Sequence, residues 1–425
     1  MANMNEQGVW EHVPSPFCGI GSDDLKIRVS GSRVEVLEHG DAVTKAAFEH
    51  PLGETQPLVD GKPASLEQAV ARAAGIVAEA ELPLLAGLAT DVAGMRAALS
   101  LADHIGAVVD NMNSTAAMRN ILVLQDSGWM TTTLAEVKNR ADLFVAVGVD
   151  VEALFPRFFE RHIWVDGMFV EAADRRIVYI GKGPSGYAAV SPDGRKPRVL
   201  PCEDEDLPAV VSMLRLLVND RPVGVDSVGG IPITELKSLA KQLKGANYGV
   251  VAWAAGAMDW NHAELTVQSI CEMVKDLNHT TRCSGLPLGG REGDQTANQV
   301  CGWQTGYPVR TRFSRGIPEY DPYLNASERL LGSREVDALL WLSAYNCANT
   351  PPDTDLPTVV LGRSGMTFDQ TPQVYIPVGV PGIDHAGHTY RLDNVVAVRL
   401  FKLRDSGLPS SAQVLQLIEQ SVRYG

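Results

Sequence analysis

What the chain lacks narrows its function first. Its six cysteines, Cys18, Cys202, Cys271, Cys283, Cys301 and Cys347, form no CxxC pair. That spacing excludes the common zinc and dithiol motifs and fits scattered, buried, reduced thiols. No apolar run approaches the ~20 residues that span a bilayer. The opening MANMNEQGVWEHVPSPF has neither a basic n-region nor an apolar h-region, so no secretory signal is expected and the setting expected is cytoplasmic. Positive charge is in deficit. Lys and Arg number 37 against 51 Asp and Glu, for a net charge of -14. Phosphate backbones need clustered cations, so nucleic acid is not the expected partner. Hydrophobic residues make up 45% of the 425, enough for the cores of two or three domains.

What is present reads as an α/β protein. Residues 25–38, LKIRVSGSRVEVLE, alternate on both sides of Ser30-Gly31 and predict a hairpin. QPLVDGKPAS predicts a second short pair turning at Asp60-Gly61. Ser65 caps a helix running through AVARAAGIVAEA. PLLAGLA is a strand, DVAGMRAALSLADHIG a helix and AVVD a strand. This rhythm continues to Gly148 and predicts a parallel sheet flanked by helices. Residues 182–198, KGPSGYAAVSPDGRKPR, read as a loop or linker. A second α/β segment follows, with helices at DLPAVVSMLRLLVN, ITELKSLAKQLK and HAELTVQSICEMVKDLN and strands at YGVVAWAAGA, VDALLWLSAY, LPTVVLG and TPQVYIPV. Between them Ser284–Tyr323 reads as one long, partner-facing loop. The tail SSAQVLQLIEQSVRY is an amphipathic helix. Three domains are expected: a small β unit over 1–62, an α/β domain over 63–200 and a second over 201–425.

The stretch 108–165 has the layout of a cofactor site. Small polar residues Asn111 to Thr115 lead into a helix, and the strand Leu143 to Val147 ends at Gly148. Open α/β sheets bind ligands at such strand ends. Asn113, Ser114, Thr115, Ala116, Lys138 and Gly148 therefore line the expected pocket, yet none is a strong metal ligand. Arg310, Arg312 and Arg315 form a basic patch suited to an anionic ligand or an acidic partner surface. His385 and His388 beside Asp384 are the best metal-like spacing in the chain, but they lack a third ligand. Arg391 belongs to the same polar segment. Gly289, Gly290 and Gly293 could cradle a phosphate if they open a helix. Cys18 has no neighbouring thiol for an iron–sulfur cluster.

Several stretches together resemble the B subunit of formylmethanofuran dehydrogenase. They are PFCGIGSDDL, LQDSG with TLAEVKNRADLFVAVG, FPRFFERH, QVCGWQTGYPVRTRFSRGIPEYDP, SREVDALLWLSA and IPVGVPGIDHAGHTYRLDNV, and they span nearly the whole chain. The resemblance implies the fold of the molybdopterin oxidoreductases. It also implies a relation to enzymes that carry a tungsten- or molybdenum-bis(pyranopterin) centre and a [4Fe-4S] cluster. The departures are chemical. The cluster segment keeps only Cys18, and the loop before LQDSG holds no cysteine, with Ala116 or a neighbour where the metal ligand is expected. That pattern is similar to the B subunit of the formyltransferase/hydrolase complex of methylotrophic bacteria. It implies a chain without metal or cluster and without catalytic residues. The resemblance also implies an amidohydrolase-like A subunit, a C subunit and a formyltransferase D subunit as partners, a methanofuran analogue nearby, and no membrane. Two alternatives stand beside it: an active dehydrogenase subunit, and a stand-alone protein that binds a small ligand.

Overall fold

The computed structural model describes residues 3–4 and 8–424. The chain divides into two compact units, Met1–Ser114 with Gly290–Gly425, and Thr115–Gly289. Each is built on a parallel sheet. In chain order the parallel strands are β1 Pro83–Ala89, β2 Val108–Val109, β3 Leu143–Val147, β4 Arg176–Ile180, β5 Arg198–Leu200, β6 Gly249–Trp253, β7 Cys283–Pro287, β8 Ala338–Ser343, β9 Thr358–Arg363 and β10 Val374–Val378.

In the 115–289 unit the order is β5-β4-β3-β6-β7, all parallel. Strand order reverses between β3 and β6, where Val147 registers with Trp253. LFVAV and GVVAW are buried along their whole length, which is why they read as unbroken apolar runs rather than alternating ones. Helices Leu207–Val218, Ile233–Gly245 and Ala263–Leu277 bury Val210, Leu214, Leu236, Leu239, Leu243, Val267, Ile270 and Val274 in one core. The three- and four-residue spacings place these on one stripe of each helix. Each such burial contributes roughly 1.5–3 kcal/mol.

In the other unit nine strands form one sheet. Its parallel centre runs β2-β1-β8-β9-β10 and reverses between β1 and β8. Ser65 and Gln68 form a reciprocal capping box on helix Leu66–Glu79. Asp91 caps Val92–Ile105, which ends at Gly106 with φ 72°. Helices of this unit carry the expected amphipathic stripe through to the C-terminal Ser411–Tyr424. The hairpin Leu25–Ser30 and Arg33–Glu38 joins Val9–Val13 and Asn3–Met4 in a separate four-stranded sheet. Its Val13, Leu25 and Ile27, with Phe48 of the helix Ala42–Phe48, share a core with Tyr345, Val380 and Ile383. No described helix is long and apolar enough to cross a membrane.

The expected mixed α/β fold with parallel sheets stands, and three local expectations change. Ser284–Tyr323 is not one loop: it contains most of β7, the helix Asp294–Thr305, and the short strands Thr311–Arg312 and Glu319–Tyr320. The helix buries only Thr296, Ala297, Val300 and Cys301, so small and polar residues hide its periodicity. The pair Leu58–Val59 and Lys62–Pro63 edges the nine-stranded sheet through β10 rather than the N-terminal one. The units also group residues differently from divisions at 62 and 200, because each doubly wound sheet recruits strands from distant segments.

Candidate functional site

The reversal of strand order at β3 and β6 creates the kind of crevice where doubly wound sheets hold ligands. Gly148 closes β3 with φ 61°. A Cβ there would lie 2.7 Å from Leu207, so glycine is required both by conformation and by space. The helix Ser114–Asp126 supplies the facing residues of this unit. Ala116 lies against Gly256, 3.6 Å from where its Cβ would be. The Arg119 guanidinium donates to the Ala255 carbonyl at 2.7 Å and pairs with Asp259 at 3.6 Å. Asn120 Oδ1 accepts from Trp253 Nε1 at 2.9 Å. Polar groups at the carboxyl end of β6 are thus satisfied by side chains of the same unit. Lys138 is not part of this arrangement. It is exposed, in the last turn of helix Leu134–Arg140. That helix leads directly into β3, so its last turn lies at the opposite, amino end of the strand. The missed residues are Arg119 and Asn120, whose signal was their place one turn beyond Ala116.

The preceding residues, Asn111 to Ser114, follow β2 in the other unit. Asp110 is fully buried, and burial pushes its carboxyl up, opposed by Arg310 at 3.6 Å. Asp110 accepts from the Asn111 and Ser327 amides at 2.9 and 2.8 Å. The Ser114 hydroxyl accepts from Arg310 Nη2 at 3.0 Å. The Asn113 amide donates to Asn111 Oδ1 at 2.8 Å. Arg310 is therefore not a surface guide. It is a buried cation on a residue with φ 70°, held where its charge offsets Asp110. Arg312 is half-buried and donates to Ser314. Arg315 alone is freely exposed, paired with Glu319 at 3.3 Å. The expected three-arginine patch does not exist as a unit: the left-handed backbone at Arg310 takes it out of strand alternation and its side chain is buried against Asp110, while Arg312 is half-buried and Arg315 exposed.

At β1 and β8 the second reversal lies among buried polar groups. The Thr90 and Ser411 hydroxyls meet at 2.7 Å. Asp91 Oδ1 accepts from Gly94 at 2.9 Å, while Oδ2 has no partner. The Tyr345 hydroxyl is also buried, near the Thr389 side chain but without a well-formed hydrogen bond, and its ring meets Phe17 edge-on at 5.9 Å. Gly293 opens the helix Asp294–Thr305, and its Cβ would lie 2.7 Å from the Thr90 carbonyl. The glycine loop does open a helix, as its composition allows. The first residue of that helix, Asp294, already lies at the amides, accepting from Gln295 at 2.9 Å. Burial pushes this carboxyl up to about 7. Thr90, Asp91, Tyr345 and Ser411 carry no signal in the sequence, since they meet from segments far apart in the chain.

The remaining candidates are structural. Cys18 is buried and accepts from the Ser22 amide at 3.2 Å. His385 contacts the carbonyls of Ala386 and Gly379 at 3.0 and 3.2 Å. His388 is exposed on strand Gly387–Tyr390, and Asp384 is committed to Arg404 at 2.7 Å. The spacing therefore does not gather a metal site. Arg391 pairs with the buried carboxylate of Asp393 at 2.6 Å.

No family model matches the chain. Over 98% of its length it is similar to the B subunit of the tungsten-containing formylmethanofuran dehydrogenase 2 of Methanocaldococcus jannaschii, with 29% identity covering 99% of that protein. It is 28% identical to the B subunit of the formyltransferase/hydrolase complex of Methylorubrum extorquens, over 76% of this chain and 85% of that one. Among solved structures it matches the formyltransferase/hydrolase complex of Methylorubrum extorquens, crystallised with methylofuran. The TM-score is 0.74 and the identity 26%, covering 86% of this chain and 98% of that chain. Acetylene hydratase from Pelobacter acetylenicus shares the fold, with TM-score 0.64 and 10% identity over 97% of this chain and 69% of that one. The chain is thus a homologue of proteins named as B subunits of formylmethanofuran dehydrogenase and of the formyltransferase/hydrolase complex.

Proposed function

We propose that this homologue of the two B subunits is a non-redox structural subunit of a formyltransferase/hydrolase complex. Such an assembly passes a formyl group from formyl-tetrahydromethanopterin to a methanofuran analogue and hydrolyses the product to formate in one-carbon oxidation. The chemistry sits on an amidohydrolase-like A subunit and a formyltransferase D subunit, with a C subunit alongside. This chain supplies the frame, with no catalytic residue, no metal and no cluster of its own.

The donor set carries the reading. Tungsten or molybdenum in a pterin centre calls for a soft ligand such as thiolate. Asn113 to Asn120 offers amide, hydroxyl, methyl and guanidinium groups and one neutral thioether, that of the buried Met118, but no thiolate. Of these, the Ser114 oxygen is taken by Arg310, and Arg119 and Asn120 are committed to Ala255 and Trp253. A [4Fe-4S] cluster needs four thiolates, and the segment from Pro14 to Asp24 offers Cys18 alone, already engaged by the Ser22 amide. The residues present do not fit either group, so no electron-transfer step is assigned to this chain.

The test is isolation of the complex from its native source by a tag on this chain. Formyl-tetrahydromethanopterin should be converted to formate with no reduction of viologen dye. Dye reduction coupled to formylmethanofuran oxidation would instead establish the dehydrogenase reading, to which the tungsten-containing relatives point.

A further inference from the structure

Five of the six cysteines are placed to be inert. Cys18 is buried and engaged by Ser22. Burial pushes the thiols of Cys202 and Cys301 up to about 11, and those of Cys271 and Cys283 to about 12. Cys347 shares its partial exposure only with Cys202 and differs from all five in having an imidazole beside its sulfur. It is only half-buried, on the loop that follows β8. Its Sγ lies 3.5 Å from His50 Nε2.

The surroundings of this pair carry surplus positive charge. Arg363 is buried, and its guanidinium donates to two carbonyls, of Tyr345 at 2.8 Å and Ala47 at 2.7 Å, rather than to a carboxylate. Arg404 is buried as well and is paired with Asp384 at 2.7 Å. Two guanidiniums therefore share one carboxylate, and a buried cation without a counter-charge is costly. Arg363 lies within electrostatic reach of Cys347, Asp384 and Arg404. Tyr375, the remaining titratable group beside it, is pushed above its ordinary value by burial and donates to the Arg363 carbonyl at 2.7 Å. Burial, then Arg363 and Arg404, hold His50 below the usual imidazole range, so at neutral pH it is an unprotonated base. A sulfur that gains negative charge in this setting neutralises the cluster, and the imidazole is in reach of its proton.

We propose that Cys347, with His50 as its base and Arg363 and Arg404 as its electrostatic support, is a covalent modification site for low-molecular-weight disulfides. In the step, His50 Nε2 takes the thiol proton as Sγ attacks one sulfur of the disulfide. The new S–S bond forms at Cys347 and the old one breaks. The leaving thiolate departs and receives the proton from the imidazolium or water. The protein thiol is oxidised and the disulfide reduced, with no further oxidant.

The native full-length chain is incubated with oxidised glutathione at pH 7 and followed by intact mass and peptide mapping. One glutathione adds per chain, on Cys347, and Cys347→Ser abolishes the adduct. His50→Gln, which cannot take the proton, slows the addition by roughly tenfold or more. Modification of any other cysteine before Cys347 overturns the proposal, as does His50→Gln reacting at the unaltered rate. The order of labelling in the unsubstituted chain decides the site even if a variant folds poorly.

Discussion

The two places where strand order reverses share a topology and differ in how they are finished. At β3 and β6, polar groups at the strand end are met by Arg119 and Asn120 of the same unit. At β1 and β8, Asp91 Oδ2 and the Tyr345 hydroxyl are buried without well-formed hydrogen bonds, and Asp294 carries a carboxyl that burial makes hard to ionise. A buried polar atom left unmet costs on the order of 1–3 kcal/mol. The 115–289 unit also buries unmet polar atoms, at Tyr179 on β4 and Trp260 after β6, so its edge is met at Trp253 and Ala255 in particular, while the other stores unfavourable terms that packing elsewhere offsets. The lesson is that a ligand crevice can be inherited as topology while its chemistry is rewritten residue by residue.

The largest effect expected is at Asp110. Arg310→Ala removes the charge beside a fully buried carboxylate and should cost about 3–5 kcal/mol, read in urea unfolding. A loss under about 1 kcal/mol would show that Asp110 is neutral in the native chain. Next, Asn120→Ala strands the Trp253 indole N–H and should cost about 1–3 kcal/mol. Tyr345→Phe, at the other edge, deletes an atom that has no well-formed hydrogen bond and should be neutral to mildly stabilising, within about 1 kcal/mol. Equal losses from both substitutions would erase the contrast between the edges.

How much of this was legible in the sequence follows from how each feature is encoded. β1, β3 and β6 were readable because strands buried on both faces are continuous apolar runs. Gly148 was readable because it ends such a run. The helix Asp294–Thr305 was not, since its buried stripe is Thr296, Ala297, Val300 and Cys301. Arg310 looked like a surface cation because a local run of arginines carries no sign of burial, and its partner Asp110 is distant in sequence. Lys138 was the exception that the sequence could have settled: it immediately precedes β3, and chain order alone puts it at the amino end of that strand. The unmet groups around Asp91 and Tyr345 meet only through the fold.

The edges also differ in their response to pH. The Asp294 carboxyl rises from 3.8 to about 7 on folding. The folded state then holds a proton that the unfolded chain releases, so stability from this group is full below pH ~4 and falls as pH rises towards ~7. Asp294→Asn should flatten that part of the stability profile and be the more stable form at pH ~8. An unchanged slope between pH ~4 and ~7 would remove Asp294 from the account.

The proposed role of this chain is that of a frame without a redox centre. It is tested by elemental analysis of the complex isolated under anaerobic conditions through a tag on this chain. Tungsten, molybdenum and iron should all fall far below one atom per copy of the chain. One tungsten or molybdenum with about four irons per copy, the complement of a pterin centre and one cluster, would contradict it.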